Sequence, residues 1–97
     1  MPFAGIWDAW RSPGGDVLET CAILTTAANR TVAPIHDRMP VILHPEEFGL
    51  WLDRQIHDAD SLKSLFLPYP AERVEAYRVS TLVNSAANDS PACIEPV

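Results

Sequence analysis

Apolar positions in this chain fall into short runs separated by turn-forming residues, with little of the long helical striping that would indicate a bundle. The first run, Pro2 to Trp10 (PFAGIWDAW), is apolar and aromatic and stops at Ser12-Pro13-Gly14-Gly15, which predicts a buried strand closed by a turn. Val17 to Thr26 (VLETCAILTT) is dominated by β-branched and apolar residues and predicts a second strand, paired with the first as a hairpin. Asn29 is placed to cap a short helical turn ending before Pro34, a residue that forces its predecessor toward extended backbone. Val41-Ile42-Leu43 suits a core strand.

The second half starts with His44-Pro45-Glu46-Glu47, a helix opening with proline at the first helical position and acids where the helix dipole favours them. Phe48, Trp51, Leu52 and Ile56 then fall at helical spacing and predict its apolar face. A second short helix is expected over Ser61 to Phe66, ended by Pro68-Tyr69-Pro70. Beyond it, Val74 to Ser80 alternates as a half-buried strand, and Ala92 to Val97 predicts a last short one. The sum is a single α+β unit over residues 1–97, mostly strands with two or three short helices and no internal repeat.

Composition sharpens this picture in two ways. An apolar fraction of 47% is that of a folded globular protein, and the nine prolines and four glycines are too dispersed to mark a linker. Against that, seven Lys and Arg face thirteen Asp and Glu, for a net charge of -6, which opposes non-specific nucleic-acid binding by this chain alone. No run of about eighteen apolar residues is present to span a bilayer and the start lacks signal-peptide character, so a soluble, cytoplasmic protein is expected. Cys21 and Cys93 lie outside any CxxC pattern and are expected to be free and mostly buried.

His36, His44 and His57 lack the clustered spacing of a metal site, so no metal and no cofactor is expected. His44, preceding a helix, and His57, in an acidic stretch, are expected to be solvated. His36 differs. It sits in Ile35-His36-Asp37-Arg38-Met39-Pro40, a polar knot between apolar flanks, where an imidazole can move a proton, Asp37 can orient it or pair with Arg38, and Arg38 can hold a phosphate or carboxylate. The alternative is a buried histidine satisfied by backbone hydrogen bonds. Thr25 either offers a hydroxyl to an anion held by Arg38 or only completes its strand. Neither cysteine stands beside a histidine or a cation, so nothing marks an activated thiolate.

The succession FAGIWDAW, CAILTTAAN, IHDRMPVIL, a helix ending in WLD, and VSTLVNSAANDSPACIEPV resembles the C-terminal portion of the SOS response-associated peptidase (SRAP) family. The most specific piece is Ile35 to Pro40 with Thr25 eleven residues before His36; the stretch from Val83-Asn84 to Pro96-Val97 is a second match. The resemblance implies a β-rich α+β domain that binds single-stranded DNA and traps abasic sites covalently in the DNA damage (SOS) response, with autopeptidase activity in the intact family. The family's nucleophile is an N-terminal cysteine whose thiol and α-amine close a thiazolidine on the ring-opened sugar. By the same resemblance His36 corresponds to the active-site histidine, Arg38 to a DNA-contacting arginine and Thr25 to a phosphate-binding hydroxyl. The pattern departs at position 2, which is Pro2, and the family's asparagine and glutamate belong upstream of the first strand seen here. The resemblance therefore implies a truncated or split domain, with the N-terminal portion as a partner in trans, and leaves whether this chain is itself an enzyme open. The alternatives are a non-catalytic remnant that binds DNA or protein, and a conventional cysteine peptidase, for which no Cys-His pair is placed.

Overall fold

The computed structural model describes residues 1–56 and 58–97; the expectation for His57 lies outside them. The predicted hairpin forms. Strand β1 (Gly5–Arg11) runs antiparallel to β2 (Val17–Ile23), with Gly5 opposite Ile23 and Arg11 opposite Val17. The connecting turn is closed by the Gly15 N–H donating to the Ser12 carbonyl at 2.9 Å and the Asp16 N–H donating to Ser12 Oγ at 3.1 Å. Gly15 takes a φ of 91°, a left-handed conformation that costs glycine least.

One expectation fails here: β1 is not buried. Every residue of both strands is exposed, so the ribbon carries its apolar side chains in water on both faces. The reach of the second strand is also shorter than Val17 to Thr26. The chain changes partner at Leu24, whose N–H donates to the Ala4 carbonyl (2.9 Å) while its carbonyl accepts from Val41 N–H (2.9 Å). From there β3 (Thr25–Ala27) pairs antiparallel with β4 (Arg38–Pro40) in a separate two-stranded sheet.

The core sits where these segments meet. Ala4, Val41, Leu43 and Leu65 are buried together, with Leu24, Leu50, Trp51, Leu62 and Phe66 packed around them. Val41 to Leu43 is buried as expected, yet it forms only a bridge, Ile42 to Phe3, and not a strand. Its hydrogen bonds run to the N-terminal segment: Ala4 N–H donates to the Val41 carbonyl at 2.8 Å and Leu43 N–H to the Pro2 carbonyl at 3.0 Å.

The helix opening at His44 forms as a 3-10 turn, Pro45–Glu47, leading into α1 (Phe48–Trp51). The Glu47 carboxylate accepts from the His44 N–H at 2.8 Å, satisfying a donor that the helix leaves free. α1 stops well before Ile56, and Leu52 is 74% exposed, so the predicted apolar face is only half used. The second helix forms over Ala59–Phe66 as 3-10 turns, capped by the Asp58 side chain accepting from Asp60 N–H. Trp51 meets Phe66 edge to face, 6.1 Å between ring centroids.

The two C-terminal strands do not form. Val74 to Ser80 is irregular apart from a bridge between Val79 and Pro96, and the tail folds as a 3-10 turn, Pro91–Ile94. Alternation alone does not make a strand, which needs a neighbour for its N–H and C=O groups. The result is α+β, with more 3-10 turn and less strand than the residue pattern predicts.

Candidate functional site

Thr25 and Arg38 come together on the β3–β4 sheet, and His36 stands in the loop that leads into β4. Ala27 lies opposite Arg38, and Thr25, two residues from Ala27, shares its face as the diagonal neighbour of Arg38. The small Ala27 leaves room for the arginine to lean toward Thr25. Its Nη2 donates to the Thr25 carbonyl at 2.8 Å and to Thr25 Oγ1 at 3.2 Å, and its Nε approaches Oγ1 at 3.4 Å. Met39 points the other way and is buried, anchoring β4 while Arg38 stays exposed.

These contacts occupy one side of the guanidinium. Nη1 makes no hydrogen bond among the described residues and keeps two donors for an anion. The Thr25 hydroxyl, having accepted from Arg38, retains its own proton to donate. Arginine and threonine together thus present a cationic fork beside a hydroxyl donor, a constellation suited to phosphate.

His36 is exposed, so the reading of a buried, backbone-satisfied histidine is set aside. Its Nδ1 accepts from the Arg38 backbone N–H at 3.0 Å and lies 3.2 Å from Asp37 Oδ1. One nitrogen cannot accept from an amide and donate to a carboxylate at once. With Nδ1 accepting, the neutral ring carries its proton on Nε2.

The loop before His36 is held from behind. Asn29 Oδ1 accepts from the N–H groups of Thr31 (3.1 Å) and Val32 (3.0 Å), capping the turn expected from its position. The other end of that amide reaches forty residues on, Nδ2 donating to the Tyr69 carbonyl at 2.7 Å, and Thr31 Oγ1 donates to the Ala71 carbonyl at 3.0 Å. Val32 in turn accepts from His36 N–H at 3.0 Å, and Asp37 O accepts from Ala28 N–H at 3.1 Å. Asn29 thereby ties the loop before His36 to the segment at Tyr69. The residue pattern marks its cap but carries no sign of its distant partner.

The other candidates separate. His44 is half-buried and stacked on Tyr69 with centroids 4.7 Å apart; it is not the solvated histidine expected, because Pro68-Tyr69-Pro70 folds back across it. Cys93 is buried and Cys21 is exposed, both free, so only one of the two thiols is buried as predicted. Among the described residues no three His, Cys, Asp or Glu converge as a metal site, and no helix is long and apolar enough to cross a membrane.

Comparison with known proteins places this arrangement in context. The sequence profile described as SOS response associated peptidase (SRAP) matches residues 1–86. The chain is 50% identical over 93 residues to the abasic site processing protein YoqW of Bacillus subtilis, covering 96% of this chain and 42% of that protein. It is 40% identical over 99 residues to the abasic site processing protein HMCES of Gallus gallus, covering 29% of it. A crystal structure of a protein from Bacteroides thetaiotaomicron superposes with a TM-score of 0.81 at 31% identity, over 98% of this chain and 42% of that one. The chain therefore spans less than half the length of these relatives.

Proposed function

Because this chain belongs to the SOS response associated peptidase family, we propose that it contributes to abasic-site processing as the C-terminal portion of a single SRAP domain acting in the cytoplasm during the DNA damage (SOS) response. Its substrate in this reading is single-stranded DNA carrying an abasic site. Arg38 and Thr25 grip a backbone phosphate, and His36 moves protons during opening of the sugar ring and attack on the aldehyde. The observation that carries the reading is that Arg38 is hydrogen-bonded both to Thr25 across the strand pair and, through its backbone, to His36 in the loop before it, with the imidazole open to solvent.

The nucleophile lies outside the chain in this proposal. An N-terminal cysteine in the remaining part of the domain would add its thiol and its α-amine to the sugar aldehyde, closing a thiazolidine with loss of one water. Pro2 and the positions of Cys21 and Cys93 within the chain rule these residues out of that role, since none pairs a thiol with a free α-amine.

The test uses a single chain in which this sequence replaces the matching part of YoqW. Covalent capture of an abasic single-stranded oligonucleotide is expected, and His36→Ala should slow it on the order of a hundredfold, the usual contribution of a positioned acid or base. An unchanged rate in the variant rejects the role of His36. No capture by the parent chimera favours the second reading, a non-catalytic remnant, for which the acidic balance of -6 speaks.

A further inference from the structure

The imidazole of His36 has no core to hold it, for every residue from Ala33 to Arg38 is exposed. Hydrogen bonds hold it instead, at two points. The His36 N–H donates to the Val32 carbonyl at 3.0 Å, which fixes the backbone, and the ring nitrogen Nδ1 accepts from the Arg38 N–H at 3.0 Å, which fixes the ring. Either bond alone leaves the side chain a pivot; the two together set its direction.

The Arg38 end belongs to β4 and is held by the strand pair. The Val32 end depends on Asn29. Oδ1 of Asn29 accepts from the N–H groups of Val32 (3.0 Å) and Thr31 (3.1 Å), and its backbone carbonyl accepts from the Ala33 N–H at 2.8 Å, so the turn that presents the Val32 carbonyl is wound around this one residue. Asn29 is itself pinned on two sides. Its N–H donates to Sδ of the buried Met39, one residue from Arg38, at 3.3 Å, and its Nδ2 donates at 2.7 Å to the carbonyl of Tyr69, whose ring is stacked on His44. Asparagine offers an acceptor to the turn and a donor to Tyr69 from one short side chain, whereas aspartate would offer acceptors alone.

We propose that Asn29 is a positioning residue for the chemistry at His36: by holding Val32, it keeps the imidazole in the orientation that proton transfer requires. This role rests on the one proposed for His36 above and adds to it a residue that acts only through another. Thr31 supplies a control. Its Oγ1 joins the same two segments through the Ala71 carbonyl at 3.0 Å, yet it takes no part in the bonds that hold Val32 and His36.

In the chain itself, hydrogen exchange of the His36 amide should quicken about tenfold in Asn29→Ala, as its bond to Val32 loosens, and change by less than about twofold in Thr31→Val. In the YoqW chimera, capture of an abasic single-stranded oligonucleotide at saturating DNA should slow on the order of tenfold in Asn29→Ala, the effect of a misplaced catalytic group. Its Kd for the oligonucleotide should not move, because Arg38 and Thr25 keep their contacts. Thr31→Val should capture at the parent rate. Asn29→Asp keeps acceptors for the turn and loses the donor to Tyr69, so it should recover part of the rate, which separates misplacement from unfolding. With His36→Ala already present, Asn29→Ala should slow capture no further. Equal slowing by Asn29→Ala with and without His36, slowing by Thr31→Val as large as by Asn29→Ala, or unchanged exchange of the His36 amide overturns the positioning role. A chimera that captures nothing, or a His36→Ala variant at the parent rate, removes the reading on which this role rests; a slow His36→Ala beside a fast Asn29→Ala removes the positioning role alone.

Discussion

At the scale of single residues, the anion site proposed at Arg38 and Thr25 divides its work unequally. The guanidinium carries the charge and keeps Nη1 free, while the threonine holds it in place through both a carbonyl and a hydroxyl. In the chimera, Arg38→Ala is expected to weaken single-strand binding and to flatten its salt dependence by about 0.7, the value of one lost phosphate contact on a single strand. Thr25→Val keeps the β-branched shape and the carbonyl contact, so it should weaken binding less and leave the salt slope unchanged. Titrating fluorescent oligonucleotide at several salt concentrations checks both; equal slopes for parent and Arg38→Ala would remove the phosphate role. For the neutral ring of His36, nitrogen NMR should find the Nε2-protonated tautomer, since Nδ1 accepts from the Arg38 amide.

At the scale of elements, the loop from Asn29 to His36 is tied down by the half-buried amide of Asn29, which caps the turn with one end and bonds the Tyr69 carbonyl with the other. Asn29→Ala removes a cap and strands a partly buried carbonyl, so it is expected to cost about 1–2 kcal/mol in denaturant unfolding. Arg30 and Glu72 bridge the same two segments at 3.5 Å, but both side chains are largely exposed, and Arg30→Ala should change stability by less than about 1 kcal/mol. An Asn29→Ala variant no less stable than Arg30→Ala would show that the loop is held by something other than this amide.

At the scale of the whole molecule, burial is concentrated in a small core while both faces of the β1–β2 ribbon stand in water. Val41, fully buried, should cost about 2 kcal/mol when cut to alanine, from lost methyl burial plus the cavity left behind. Leu18→Ala in the free chain should stay within about 0.5 kcal/mol, because that side chain is already in water. In the YoqW chimera Leu18→Ala is expected to become destabilising. Urea unfolding of the free chain and of the chimera measures this contrast; a Leu18→Ala effect of equal size in both would mean that the ribbon stays solvated.

Residues that act through local geometry were legible from the sequence alone: the turn that closes the hairpin, the cap at Asn29, the proline-led helix opening at Pro45, and the polar knot containing His36 and Arg38, each set by chemistry a few positions wide. Tertiary structure decided the rest. It broke the second strand at Leu24 by giving that backbone new partners, stacked His44 on Tyr69, tied Asn29 to a carbonyl forty residues away, and brought Thr25 under the guanidinium of Arg38. It also denied the aromatic run of β1 the burial its composition predicts. Hydrophobicity states only that a side chain gains by leaving water; whether a surface is there to receive it depends on neighbours that no local pattern encodes.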